Sequence, residues 1–219
     1  RFSGLQEILI FSFLVLLSKF YSKIFNRNKK YFIIFSILLM NLILWSKAEG
    51  IVYATIMTLL LNFNKKIYVR EKIYINFSFL FIIFLKYFIY NISDNVMIDK
   101  SGHPYELSYL LNLNYYFIIY KLKLIIPYLL YHIFNNIFFI SGIIVLFYKR
   151  YFFPKDNYIE IMNFYFIINL SFIICAYILR DMEIEYSIKT TMERVVFTAS
   201  GFYCFLLVKF LKDIFKQKE

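Results

Sequence analysis

The sequence predicts an all-α protein, a polytopic bundle of about seven transmembrane helices that forms a single domain over residues 1–219. Two observations predict it. Hydrophobic residues make up 61% of the chain, the mean hydropathy is +0.63, and these residues fall in long runs that short polar segments interrupt. A soluble domain does not carry so much apolar surface. The lipid bilayer is therefore an expected partner of the chain.

The first half of the chain contains four apolar runs, and about 20 such residues are needed to cross a bilayer as a helix. Lys47 and Glu49 separate two runs that are shorter than this. One long helix would place both charges at mid-bilayer, which is costly, so a tight hairpin of two short spans is predicted there. The four predicted spans are residues 2–21, 31–46, 50–63 and 73–90.

The second half begins with a less apolar segment, residues 91–123. We expect it to be an external loop with room for a re-entrant or interfacial helix, because aromatic residues are frequent in its second part. Apolar runs then resume, and they predict three more spans at residues 124–148, 158–179 and 195–211.

The Lys and Arg residues predict one orientation for all seven spans. Membrane proteins retain basic residues in their cytoplasmic loops. With alternating spans, most of the 25 Lys and Arg residues fall on one side, so the net charge of +11 reflects orientation and no nucleic-acid partner is predicted. The C-terminus is then cytoplasmic, and the external segments include residues 47–50, 91–123 and 180–194.

Residues 183–194, Glu-Ile-Glu-Tyr-Ser-Ile-Lys-Thr-Thr-Met-Glu-Arg, form a polar stretch between two apolar runs. Thr190 and Thr191 precede Arg194 by four and three residues, so on a helix the three side chains share a face. An Arg at headgroup depth suits a phosphate, because its guanidinium stays charged and contacts oxygen atoms in pairs. The simpler alternative, an Arg that only reaches lipid headgroups, stays open.

Neither histidine has a second ligand at metal spacing, so no metal site is predicted.

Lys47 and Glu49 have a simple alternative as well, an interfacial ion pair that closes a tight turn.

Two motifs resemble a known family. The turn Trp45-Ser-Lys-Ala-Glu-Gly-Ile51 is similar to the Lys-x-Glu-Gly turn of bacterial multi-spanning glycosyltransferases of the GT-C type, relatives of the dolichyl-phosphate-mannose-dependent protein mannosyltransferases. The segment Glu185-Tyr-Ser-Ile-Lys-Thr-Thr-Met-Glu-Arg194 resembles the Glu-Trp-His-Leu-x-Thr-Ser-x-x-Arg signature before the last spans of that family. Tyr186 stands where the family has Trp, and Ser187 stands where His is common.

The resemblance implies that a sugar is transferred from a polyprenyl-phosphate-linked donor to a glycan, lipid or protein acceptor, without a cofactor. The reaction would take place on the external face of a bacterial plasma membrane. Arg194 and Lys47 would hold the donor phosphate, and Thr190 and Thr191 would add hydrogen bonds. Three further residues would bind or orient substrate, namely Glu49, Glu185 and Tyr186.

The family's catalytic carboxylate lies in the first external loop, upstream of the Lys-x-Glu-Gly turn. Residues 1–30 offer no acidic external loop, and Glu7 lies at the start of the first apolar run. The resemblance therefore implies that the chain is the C-terminal part of a longer enzyme and contains no catalytic residue of its own.

Two other functions are compatible with the sequence. A lipid-linked polysaccharide polymerase or ligase would carry its reactive residues in the 91–123 segment. A non-enzymatic protein, either a transporter or an assembly factor, would carry charged or Gly/Pro-broken positions near mid-membrane. Apart from Lys86 and Pro127, the predicted spans contain almost none.

Overall fold

The computed structural model describes residues 3–24, 29–47, 49–92, 115–152, 157–179 and 184–216. These residues form eight α-helices and no β-strand, which confirms the predicted all-α bundle. Within them, five helices are long and apolar enough to cross a membrane, and two shorter apolar helices coincide with the spans predicted at 50–63 and 158–179. The architecture is that of a multi-pass membrane protein.

The eight helices follow one another with short connections where these are described. In chain order they are α1 (Ser3–Lys23), α2 (Lys29–Ser46), α3 (Gly50–Phe63), α4 (Val69–Ile92), α5 (Tyr115–Asn135), α6 (Ile137–Phe152), α7 (Asn157–Ile178) and α8 (Ile184–Lys216). Helix α8 is central and packs against α1, α5, α6 and α7, whereas α4 packs at the edge against α2 and α3. Large exposed aromatic side chains on α4, such as Phe77 and Phe84, are suited to contact with lipid.

Gly201 allows α1 and α8 to approach closely. A Cβ atom at this position would overlap the carbonyl oxygen of Phe11, and small residues commonly permit such backbone contact between membrane helices. The Phe11 ring stacks on Phe197 with its centroid 5.1 Å away. One turn earlier on both helices, Glu7 pairs with Arg194. The two helices therefore run in the same direction and start at the same end of the bundle.

The predicted hairpin between α2 and α3 is confirmed. Helix α2 ends at Ser46 and α3 begins at Gly50, so Lys47 and Glu49 lie between the helices instead of inside one. A Cβ atom on Gly50 would overlap the carbonyl oxygen of Ile43. The turn therefore needs glycine at its end to let the two short helices pack together.

The predicted span at 124–148 is wrong in its bounds, because two helices, α5 and α6, meet at Asn136 within it. The Asn136 side chain ends one helix and starts the next. Its Oδ1 atom accepts hydrogen bonds from the N–H groups of Phe138, at 3.1 Å, and Phe139, at 3.0 Å. This is the geometry of an N-cap.

Helix α5 also begins earlier than predicted, at Tyr115, in the segment taken as a loop. The prediction started the span after Lys121, but this charged residue lies inside the helix because it has a partner. It is buried, and its ammonium group donates to the carbonyl oxygen of Ile178 at the end of α7, at 2.8 Å. The rest of the predicted loop, residues 93–114, lies outside the described residues.

The predicted external segment 180–194 is helical from Ile184 onward and continues into the last span. Its polar side chains do not stop the helix, because Ile188 and Met192 follow Ile184 at four-residue spacing and all three are buried. That spacing turns one face of a helix toward the core. Residues 180–183 lie outside the part of the chain that the structure describes.

Candidate functional site

Four charged side chains from three separate segments meet at one end of the bundle. We call them the Arg194 cluster, which consists of Glu7 on α1, Lys47 and Glu49 between α2 and α3, and Arg194 on α8. Lys47 Nζ lies 3.0 Å from Glu7 Oε1 and 3.1 Å from Glu49 Oε2. Arg194 Nη1 lies 3.7 Å from the same Glu7 oxygen. One carboxylate oxygen thus joins two cations that are far apart in the sequence.

Glu7 is the buried member of the cluster. Its side chain is 5% exposed, against 26% for Lys47, 35% for Glu49 and 45% for Arg194. A charge is tolerated in such a place when opposite charges compensate it. The second oxygen, Glu7 Oε2, is buried and has no hydrogen-bond partner among the described residues. Buried polar atoms almost always have a partner, and an exception points to a bound water, ion or ligand.

The formal charge of the Arg194 cluster is zero, because two carboxylates face two cations. The cluster therefore does not attract an anion by net charge. What it offers is directed donors, since a guanidinium carries five N–H groups. Within the described part of the chain, Arg194 has one ion pair, at a distance longer than a hydrogen bond. An anion that approaches the exposed side of Arg194 can receive a bidentate pair of hydrogen bonds.

The structure brings three of the sequence-predicted site residues together, Lys47, Glu49 and Arg194, and it does so through Glu7. Sequence reasoning missed Glu7 because it lies in an apolar run and not in an acidic loop. The signal that could have found it is a lone carboxylate at the start of a membrane helix, because such a group requires a cationic partner.

Thr190 and Thr191 lie on α8 within one turn of Arg194, but their hydroxyl groups are engaged. Thr190 Oγ1 donates to the carbonyl oxygen of Tyr186 at 2.8 Å, and Thr191 Oγ1 donates to that of Ser187 at 2.7 Å. The Thr191 hydroxyl also lies 2.8 Å from the hydroxyl of a tyrosine on α7. A phosphate can receive hydrogen bonds from these groups only after the existing bonds break, and their predicted role stays a prediction.

Glu185 and Tyr186 lie nearer the start of α8, and none of the described contacts joins them to the Arg194 cluster. The Glu185 side chain is 57% exposed and lies 4.0 Å from Lys189, a helical pair of the kind that contributes little. Tyr186 is 58% exposed. Their predicted role in orienting substrate also stays a prediction.

In the described residues, no group of three or more His, Cys, Asp or Glu side chains is placed to hold a metal ion. His103 lies outside them, and His132 on α5 packs edge-on against the Tyr131 ring. The groups that the Arg194 cluster presents to a ligand are two cations and a carboxylate oxygen without a donor.

Comparison with known proteins yields no relative. No protein-family model matches the chain, and neither a curated protein nor a solved structure matches it significantly. The function is therefore argued from the geometry of the Arg194 cluster.

Proposed function

We propose that the chain binds the phosphate of a polyprenyl-phosphate-linked sugar through Lys47 and Arg194, as the donor-binding part of a membrane glycosyltransferase. The observation that carries the proposal is that Glu7 Oε1 holds these two cations side by side, at 3.0 and 3.7 Å. Lys47 lies between α2 and α3, and Arg194 lies ten residues after the start of α8. The resemblance of both motifs to GT-C glycosyltransferases also supports the proposal.

The chemistry explains why two cations are needed. During transfer, the bond between the anomeric carbon of the sugar and a phosphate oxygen breaks, and the phosphate leaves with its electron pair. A cation that contacts the leaving oxygen stabilises the transition state more than the bound substrate, which is the condition for catalysis. Arg194 is suited to two phosphate oxygens at once, whereas Lys47 supplies a compact charge. Removal of one such donor typically lowers the rate by about 10²–10³-fold.

The acceptor, a hydroxyl of a glycan, lipid or protein, has to lose its proton as it attacks. In this proposal no residue of the Arg194 cluster takes this proton, and the reaction takes place on the external face of a bacterial plasma membrane. Glu7 holds the two cations in place, and Glu49 orients Lys47.

A binding experiment tests the proposal without requiring sugar transfer. The full 219-residue chain in lipid nanodiscs is titrated with farnesyl phosphate, a short polyprenyl phosphate, with empty nanodiscs as the blank. We expect saturable binding that Arg194→Met weakens by about tenfold or more, because a hydrogen-bonded charge pair is lost. Arg194→Lys should weaken it less, since it keeps the charge and loses the paired geometry.

Lys29→Met is the control, because it removes a partly exposed cation at the opposite end of the bundle. It is expected to bind farnesyl phosphate as the wild type does. Equal affinities of the wild type and Arg194→Met would refute the proposal.

A further inference from the structure

We infer that Glu7 makes the Arg194 cluster selective for a phosphate that carries a sugar, because its second carboxylate oxygen accepts a hydrogen bond from a hydroxyl group of the ligand. The inference rests on the proposed function and specifies which form of the lipid phosphate the site recognises.

The two oxygen atoms of Glu7 have different surroundings. Oε1 accepts a hydrogen bond from Lys47 and faces Arg194. Oε2 belongs to the same side chain, which is 5% exposed, yet no described group donates to it. A buried acceptor without a donor loses its hydration and gains nothing in return. We therefore expect a bound group to complete it.

The group that completes Glu7 Oε2 must be a hydrogen-bond donor that can lie beside two cations. A bare phosphate monoester presents acceptor oxygens and is largely deprotonated at neutral pH, since its second pKa is about 6. A cationic ligand would compete with Lys47 and Arg194, which already pair with this carboxylate. A glycosyl phosphate meets both conditions, with phosphate oxygens for the two cations and sugar hydroxyls a few bonds away for Glu7.

The two carboxylates of the cluster also favour the ligand that carries a sugar. Glu7 and Glu49 repel a ligand that brings negative charge alone. A ligand that also donates a hydrogen bond to Glu7 offsets part of this repulsion, so the difference in affinity between the two ligands increases. Sites built to bind a hydroxyl reject ligands that lack it, because a buried polar group is then left unpaired.

Access to the carboxylate depends on Arg194. Glu7 Oε2 is buried, so a ligand reaches it only after a side chain of the cluster moves. Arg194 is the most exposed of the four, and its contact with Glu7 is longer than a hydrogen bond. We expect Arg194 to turn toward the phosphate of the ligand and open the way to Glu7, so that the phosphate and the sugar are recognised together.

The test compares farnesyl phosphate with farnesyl phosphoryl-hexoses that carry mannose, glucose or galactose, each titrated into the full chain in nanodiscs. The wild type is expected to bind at least one hexose form on the order of tenfold more tightly than farnesyl phosphate, as one hydrogen bond to a charged group provides. In Glu7→Gln, the preference should fall to within about threefold, because a neutral acceptor forms the weaker bond. Its affinity for farnesyl phosphate should also fall, because Glu7 holds Lys47 and Arg194 in place, but by less than its affinity for the preferred hexose form.

Glu71→Gln is the matched control. It neutralises a glutamate that is paired with a lysine at the opposite end, and both affinities and their ratio should stay unchanged. Glu7→Gln preserves the side-chain volume and leaves Lys47 paired with Glu49, and a thermal melt checks that it remains folded.

The outcomes separate the inference from the proposed function. If the wild type prefers no hexose form while Arg194→Met still weakens farnesyl phosphate binding, the inference is wrong and the proposed function stands. If Glu7→Gln weakens all probes equally, Glu7 is only structural, and the inference is again wrong. If the wild type binds no probe, the proposed function fails and the inference fails with it.

Discussion

Each end of the bundle holds a lysine against a glutamate, and the two ends differ in what else these charges contact. At one end lies the Lys29 cluster, which consists of Lys29, Lys66, Tyr68 and Glu71. Lys29 Nζ lies 3.1 Å from Glu71 Oε2, donates to the Lys66 carbonyl oxygen at 2.8 Å and lies 3.5 Å from the centroid of the Tyr68 ring. Glu71 Oε2 also accepts a hydrogen bond from the backbone N–H of Tyr68 at 2.9 Å. Both charges have several partners.

The Arg194 cluster at the other end has unused groups instead. Glu7 Oε2 lacks a donor among the described residues, and Arg194 is 45% exposed with a single described ion pair. Three of the four members of the Lys29 cluster are close in sequence, whereas the Arg194 cluster gathers three distant segments. The two clusters therefore differ in unfilled hydrogen-bonding capacity, which is why the Arg194 cluster, and not the Lys29 cluster, is the candidate ligand site.

Among the substitutions that test this comparison, Gly201→Ala is expected to have the largest effect on stability. The added methyl group overlaps the Phe11 carbonyl oxygen, so α1 and α8 must move apart, and overpacking of this kind costs about 1–3 kcal/mol. Because Glu7 then moves away from Arg194, farnesyl phosphate binding should weaken as well. Unfolding in mixed micelles and the nanodisc titration measure the two effects. Val208→Ala, at an exposed position on α8, is the control, and equal stability of both variants would contradict the close packing at Gly201.

Lys29→Met should have the next largest effect, confined to stability. It removes a hydrogen bond to a charged group and a cation–π contact, and together these are worth about 1–3 kcal/mol. Farnesyl phosphate affinity should stay the same, since the Lys29 cluster has its bonding groups satisfied. The opposite pattern, unchanged stability with lost binding, would reverse the assignment of the two ends.

Thr191→Val should destabilise the protein by about 0.6 kcal/mol, the average for a hydrogen bond between membrane helices, because the Thr191 hydroxyl contacts Tyr177 on α7. Thr190→Val removes a bond that stays within α8 and should have a smaller effect. Unfolding of the two variants under the same conditions gives the comparison. Lower farnesyl phosphate affinity in both would instead support the predicted role of these hydroxyls in binding.

The smallest effect is expected from Lys149→Met, which removes the ion pair between α6 and α8. Lys149 Nζ lies 3.2 Å from Asp213 Oδ2, and the Asp213 side chain is 51% exposed. Lys149 itself is buried, but the Asp213 carboxylate that it leaves behind is half-exposed to water, so the change in unfolding free energy should stay below about 1 kcal/mol. A larger loss would show that this pair, too, anchors the end of the bundle that carries the Lys29 cluster.

The parts of the fold that could be predicted depend on the polarity of individual residues. The α2–α3 hairpin is such a case, because a membrane helix does not keep Lys47 and Glu49 near its middle. The predicted bounds were wrong where polar groups satisfy each other. Lys121 lies inside α5 because it donates to the Ile178 carbonyl, and Asn136 interrupts an apolar run because it caps α6. The partner of Lys121 is distant in sequence and cannot be recognised from the local pattern, whereas the Asn136 cap is local and agrees with the preference of Asn for helix N-caps.

The same distinction applies to the site. The sequence by itself determined that the chain is a helical membrane bundle and that Lys47, Glu49 and Arg194 lie outside the apolar centres of its helices, since partition between lipid and water depends on each side chain alone. Only the tertiary structure decided that these residues meet around Glu7. Their contact depends on how distant helices pack, above all on the fit of Gly201 against Phe11, and helix packing is a property of pairs of surfaces that neither segment contains by itself.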